Sequence, residues 1–212
     1  MVSPRPAEVL TERLRLVPIG PERAEDFWLV HNDDAVVPGY DGWRPTLAEA
    51  RERTAHIAEC WRGQGVHKWM AYDRATGDVV GRGGLSRTPT DDDWGQVHAF
   101  LPDAPWVREV HECPTLFASH AGWLELGWAL RRAHWGKGYA SEIGRAGLDF
   151  AFGSLGVHAV VSCTAAHNAR SRAVMQRIGL RFAGVIFSPG IPEGGREVVS
   201  DAPFATYIAL RR

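Results

Sequence analysis

The sequence predicts an α/β domain whose sheet contains a parallel strand–helix–strand crossover, and three observations carry that prediction. An apolar run, Leu124 to Leu130, reads as a strand and leads into a turn carrying Gly136 and Gly138. A helical pattern follows from Ser141 to Phe152, with an inward stripe of Ala140, Ile143, Gly147, Phe150 and Ala151. A β-rich run, His158 to Ala166, then returns at the spacing of a right-handed parallel crossover.

The remaining elements follow in chain order. Leu14 to Val17 is a short strand, and Pro21 suits the first turn of a helix that ends near His31. A second helix spans Thr46 to Arg62, with Thr46 and Glu49 at capping-box spacing, Leu47, Ala50, Ile57 and Trp61 on its apolar face, and Gly63 and Gly65 to stop it. Trp69 to Tyr72 and Val79 to Leu85 form an antiparallel hairpin across Asp73 to Asp78. From Ser86 to Gly122 the pattern fails, and a loop of that length implies short strands or a functional flap. Asn168 is the N-cap of a helix that Gly179 ends, with Ser171, Val174, Met175 and Ile178 on the face toward the sheet. Arg181 to Phe187 and Phe204 to Leu210 are the last strands.

Composition limits the function. A chain of 212 residues with 45% hydrophobic content fits one well-cored domain, 1–212, carrying an extended segment at about 86–122. The net charge of −1 and the short, scattered arginine runs give no field for nucleic acid. Three cysteines without a CxxC pair read as reduced thiols, Cys163 as core. No run approaches the ~20 apolar residues of a membrane span, and the N-terminus lacks a signal-peptide core, so a soluble cytoplasmic protein is expected. His111 and Cys113 lack a regular ligand quartet, so no metal is expected.

The turn from Trp135 to Glu142, WGKGYASE, carries the chemistry. Its glycines let backbone approach a ligand, and the helix after it offers N–H groups and partial positive charge to an anion. A ligand-free strand-to-helix turn is the alternative. Lys137 is not followed by Ser or Thr as in a Walker loop, and a dinucleotide GxGxxG fails at Ser141, which argues against ATP and NAD.

Taken together, LTERLRLVPI (Leu10 to Ile19), VVGRGGL (Val79 to Leu85), ELGWAL followed by HWGKGYASE, and NARSRAVMQRIGLRFAG (Asn168 to Gly184) resemble the GCN5-related N-acetyltransferase (GNAT) superfamily, specifically its RimJ/RimL-like branch. The resemblance covers most of the chain and implies a mixed, mostly antiparallel sheet flanked by helices. The family pattern Q/R-x-x-G-x-G/A falls on Trp135 to Ala140, with Trp135 in place of Gln or Arg. It implies acetyl-CoA as co-substrate: backbone of Ala129, Leu130 and Arg131 pairs with pantetheine, amides of Gly136, Lys137, Gly138, Tyr139 and Ala140 meet the pyrophosphate, and Ser141 adds a hydroxyl. Lys137 either adds charge or faces solvent.

Asn168 and Ser171 match the family's N-x-x-S element beside the cofactor sulfur. Met175 stands where many members carry a proton-donating tyrosine, so Ser171 is the substitute expected to bond the CoA sulfur; a helix cap is the other reading. Deprotonating an α-amine of pKa ~7.8 at pH 7 costs about 1 kcal/mol, against about 4.6 for a lysine amine. Glu125 is the preferred base, a solvated strand-edge carboxylate the alternative; Glu109, His111, Glu112 and His120 are weaker candidates. Tyr40 and Trp43 either line the acceptor site or pack over a surface loop.

The function implied is acetyl transfer directly to a primary amine, a protein N-terminus or a small molecule, with an oxyanion met by backbone near Leu130. A CoA-binding but catalytically silent regulatory module is the alternative, and a nucleotide-binding α/β protein a third. Partners are the small-molecule or peptide amine acceptor and, through the 86–122 segment, a second copy in a homodimer; nucleic acid and membrane are not expected.

Overall fold

The structure is a computed structural model that describes residues 8–40, 42–87, 96–107, 123–188 and 202–211. Eight strands are ordered β1-β2-β3-β4-β5-β6-β8-β7. They are β1 (Val9–Leu10), β2 (Leu14–Pro18), β3 (Lys68–Asp73), β4 (Val79–Ser86), β5 (Trp123–Leu130), β6 (Ala159–Ala165), β7 (Arg181–Ser188) and β8 (Ala202–Leu210). β5 and β6 pair in parallel, from Trp123–Ala159 to Glu125–Val161. The pairs β1–β2, β2–β3, β3–β4, β6–β8 and β7–β8 are antiparallel. The chain divides into two compact units. One is built on the described residues of Met1–Gly84 and Trp128–Ala146, the other on those of Leu85–Gly127, Gly147–Gly190 and Val199–Arg212.

In the first unit, Pro21–Arg23 forms a 3₁₀ turn that runs into α1 (Ala24–His31), as the early proline suggests. α2 (Leu47–Gln64) begins on the expected capping box: Thr46 Oγ1 accepts from the Glu49 amide, and the Glu49 carboxylate accepts from the Thr46 amide at 2.7 Å. Such a cap contributes about 1 kcal/mol. The helix does not stop at Gly63; it runs through to Gln64 and ends on Gly65, which is left-handed at φ 69°. Its buried face is Ala50, Thr54, Ile57 and Trp61. Thr54 is tolerated there because its hydroxyl bonds back to the Ala50 carbonyl at 2.9 Å. The Trp61 indole donates to the Lys68 carbonyl at 3.1 Å, joining α2 to β3. The β3–β4 hairpin turns through Asp73, whose carboxylate accepts from the amides of Ala75 and Thr76.

One glycine of this hairpin has a packing reason. A Cβ on Gly81 would lie 2.3 Å from the Ala129 carbonyl oxygen and 2.7 Å from the Leu130 Cα. β4 can approach the end of β5 only without a side chain there.

In the second unit, Val97, Ala159, Val161, Ile186 and Ile208 form a buried cluster. β7 carries an irregularity between Phe182 and Gly184, where a Gly184 side chain would meet the Phe100 ring. Of the short strands expected within 86–122, the described residues hold only the end of β4 at Ser86; the others form a 3₁₀ turn, Gln96–Phe100, and a helical stretch at 105–107. Gln96 pairs its side-chain amide with both the N–H and C=O of Phe187, at 3.0 and 2.8 Å, as a neighbouring strand would. The helix expected from Ser141 begins at Tyr139, among the residues of the first unit: α3 is Tyr139–Asp149, continued as a π turn over Phe150–Leu155 and closed by left-handed Gly156. Ser141, Ile143, Gly147 and Ala151 are buried, whereas Ala140 and Phe150, expected on the inward stripe, are only partly so. α4 (Ala169–Arg177) starts on Asn168, and Gly179 follows it at φ 96°. None of the described helices is long and apolar enough to cross a membrane.

Candidate functional site

The turn between β5 and α3 is built from a 3₁₀ turn, Arg132–His134, followed by Trp135 to Gly138. Gly136 and Gly138 are both left-handed, at φ 75° and 85°. Alternating left-handed residues turn successive amides toward one side, the geometry of an anion-binding concavity. The Glu142 amide makes its first helical bond to the Gly138 carbonyl at 3.1 Å, so the amides before it precede the helical ladder and carry its positive end. Gly136, Lys137 and Gly138 are exposed. Ser141 is 3% exposed, which turns its side chain inward. His134 is held below its ordinary pKa by burial and by the charges of Lys137 and Arg131.

Trp135 is a fastener. Its indole donates to the Leu130 carbonyl at 2.7 Å, and the Arg132 guanidinium lies over its ring at 4.7 Å. The Arg131 amide donates to the Val80 carbonyl at 3.0 Å and so faces β4. Because strand residues alternate in direction, the Leu130 N–H points away from β4.

The turn is clamped by side chains whose roles here sequence reasoning did not single out. Glu142, in the first turn of α3, accepts from the Thr11 hydroxyl, from the Arg13 amide at 2.8 Å and from the Arg13 guanidinium at 2.7–2.8 Å. The Arg13 Nη1 also donates to the Lys137 carbonyl at 2.8 Å, and the guanidinium sits over the Tyr139 ring at 4.8 Å. The Tyr139 hydroxyl donates to the Asp73 carboxylate. Burial pushes the Glu142 carboxyl up, but the bonds from Thr11 and Arg13 together outweigh it and hold the group below its usual range. A faint signal was available: an acid beside a presumed anion site calls for a neighbouring cation.

The other expected residues lie in the second unit. Asn168 Oδ1 accepts from the Ser171 amide at 3.1 Å, which is the helix-cap reading. The Ser171 hydroxyl makes no hydrogen bond among the described residues and is half-buried. Met175 is 2% exposed. Glu125 is not a solvated edge carboxylate: it is 5% exposed, opposite Val161 in the parallel pair, and accepts from Ser86 Oγ at 3.0 Å. Burial pushes the Cys163 thiol up to about 12, against a bond from Thr206 and with the Glu125 charge, so it is a poor nucleophile. Glu109, His111, Glu112, Cys113 and His120 lie outside the described residues. Among those described, no group of three or more His, Cys, Asp or Glu is arranged for a metal.

The aromatics at 40–43 follow the packing reading. Trp43 is buried with its ring 5.2 Å from that of His31, and Tyr40 accepts from Arg82 Nη2 at 2.8 Å. Arg82 Nε donates to His31 Nε2 at 2.9 Å. Burial, then the Arg82 charge, holds His31 well below its ordinary pKa.

Comparison with known proteins gives concordant findings. The family described as "Acetyltransferase (GNAT) domain" matches residues 13–181. The FsC-acetyl coenzyme A-N(2)-transacetylase of Aspergillus fumigatus is 30% identical over 192 residues, 87% of this chain and 72% of that protein. The uncharacterized protein YkkB of Bacillus subtilis is 27% identical over 180 residues, 84% of this chain and 88% of its own length. Among solved structures, AAC(6')-Ib in complex with paromomycin and acetyl-CoA aligns with a TM-score of 0.68 at 16% identity, covering 94% of each chain.

Proposed function

This chain belongs to the GNAT acetyltransferase family, and from that premise we propose that it is an acetyl-CoA-dependent N-acetyltransferase acting as a single functional domain, with a residue pattern akin to the RimJ/RimL-like branch. The observation that carries the reading is the turn: two left-handed glycines, Gly136 and Gly138, on either side of Lys137 and just before the amino end of α3, with Gly136 to Gly138 exposed. Each anionic contact at a helix start is worth ~0.3–1 kcal/mol when exposed and up to ~2 when partly buried, so several amides must share the pyrophosphate.

In this reading the amides of Gly136 to Ala140 hold the pyrophosphate, and Ser141 contributes backbone rather than its inward-turned hydroxyl. The pantetheine arm lies along Ala129 to Arg131. With the Leu130 carbonyl taken by Trp135 and the Arg131 amide by Val80, the Leu130 N–H is the group left for the thioester oxygen. The acetyl group passes directly to a neutral primary amine on a peptide or small molecule. Glu125 accepts the amine proton, and the Ser171 hydroxyl, which has no other partner among the described residues, bonds the departing CoA sulfur.

The buried Met175, where a tyrosine would donate a proton, favours a second reading, a CoA-binding module without turnover. Thiol release from acetyl-CoA across a panel of peptide, aminoglycoside, polyamine and amino-acid amines separates the two. Amine-dependent release supports transfer; binding without release supports the silent module.

A further inference from the structure

Arg13 lies 124 residues before the turn, yet the Lys137 carbonyl accepts from its Nη1 at 2.8 Å. The peptide joining Lys137 to Gly138 is trans, and in a trans peptide C=O and N–H point in opposite directions. Fixing the Lys137 oxygen on Arg13 therefore aims the Gly138 N–H away from Arg13. Glu142 adds a second demand. Its carboxylate in the first turn of α3 is favourable to the helix but repels any anion bound there. Both of its oxygens are occupied: Oε1 by the Thr11 hydroxyl and the Arg13 amide, Oε2 by two guanidinium nitrogens.

The β1–β2 turn that presents Thr11 and Arg13 is itself pinned. Arg74 Nη1 donates to the Thr11 carbonyl at 2.6 Å, and the Arg74 amide to the Arg13 carbonyl at 2.9 Å. A planar guanidinium holds the Glu142 carboxylate through Nε and Nη2 and the Lys137 carbonyl through Nη1, a geometry that the single nitrogen of a lysine does not reproduce.

Resting on the reading of this turn as the acetyl-CoA cradle, we propose that Arg13 is a positioning residue for pyrophosphate binding. It aims the Gly138 amide at the phosphates and neutralises the Glu142 carboxylate beside them. Its effect is confined to the part of the donor that carries phosphate.

The test compares two donors by calorimetry, acetyl-CoA and S-acetylpantetheine, which lacks the pyrophosphate. Arg13→Ala weakens acetyl-CoA binding by about tenfold or more, because charge-assisted contacts are lost, and leaves S-acetylpantetheine affinity at the wild-type value. Arg13→Lys, which keeps the charge that offsets Glu142 but not the three-nitrogen hold on Glu142 and Lys137, gives a smaller loss that is still confined to acetyl-CoA, and it serves if the alanine variant does not fold. Adding Glu142→Gln to Arg13→Ala recovers part of the acetyl-CoA affinity, since the unmasked carboxylate is gone. Equal losses for both donors, or no loss for acetyl-CoA, overturn the proposal while leaving the cradle reading intact. A wild-type protein that binds no acetyl-CoA overturns both.

Discussion

Gly81 on β4 stands so close to Ala129 on β5 that an added Cβ would lie 2.3 Å from the Ala129 carbonyl oxygen. The obstacle is backbone, which cannot swing aside as a side chain can. Gly81→Ala is therefore expected to destabilise the fold by about 1–3 kcal/mol, the usual cost of overpacking. A urea titration with unchanged m-value measures it, and the same variant shifts the strand proposed for pantetheine.

The two turn glycines differ in a way that mutation can read. Gly136 has open space around a would-be Cβ, so Gly136→Ala carries only the left-handed strain, about 1–2 kcal/mol. Asn tolerates that conformation, so Gly136→Asn is milder. At Gly138 the Cβ would also lie 3.3 Å from Arg13 Nη2, so Gly138→Val strains the backbone and disturbs the clamp together. Calorimetric acetyl-CoA affinity should fall in the order wild type, Gly136→Asn, Gly136→Ala, Gly138→Val.

Ser171 separates binding from chemistry. With Asn168 capping α4 through the Ser171 amide, Ser171→Ala keeps the cap and loses only the hydroxyl. The expected result is a kcat lower by about 10²-fold, the low end for proton delivery, with acetyl-CoA affinity little changed. Steady-state kinetics beside a binding titration checks this, and an unchanged kcat leaves Ser171 as a cap residue.

Stability should depend on pH through His31. Its folded pKa is depressed by burial and then by Arg82, so below the ordinary value of 6.5 the unfolded chain takes up a proton that the native state does not. The His31 contribution is complete above about pH 6.5 and is lost progressively as pH falls below it. Unfolding free energies from urea titrations at pH 7.5 and 5.5 measure the slope. His31→Gln, which keeps an acceptor for Arg82 and does not titrate, should make it shallower.

Local signals were the legible ones. Thr46 with Glu49 announced a helix start, Asp73 to Asp78 a hairpin, and Gly136 with Gly138 a left-handed strand-to-helix turn, because each depends on neighbours within a few residues. Gly63 misled because a helix tolerates glycine at modest cost, and the left-handed cap needed only Gly65. The burial of Glu125 and the Arg13–Glu142 clamp were illegible for a different reason. Strand pairing sets the first, and a contact across 129 residues sets the second. Neither leaves a periodicity in the sequence.

If the turn from Trp135 to Glu142 holds acetyl-CoA by its pyrophosphate, a bulky β-branched side chain at left-handed Gly138 must displace the ligand. Calorimetric titration of acetyl-CoA into the wild type and Gly138→Val tests it most directly. The expected result is one-to-one binding by the wild type that the substitution abolishes; undiminished binding by Gly138→Val, or none by the wild type, overturns the pyrophosphate reading.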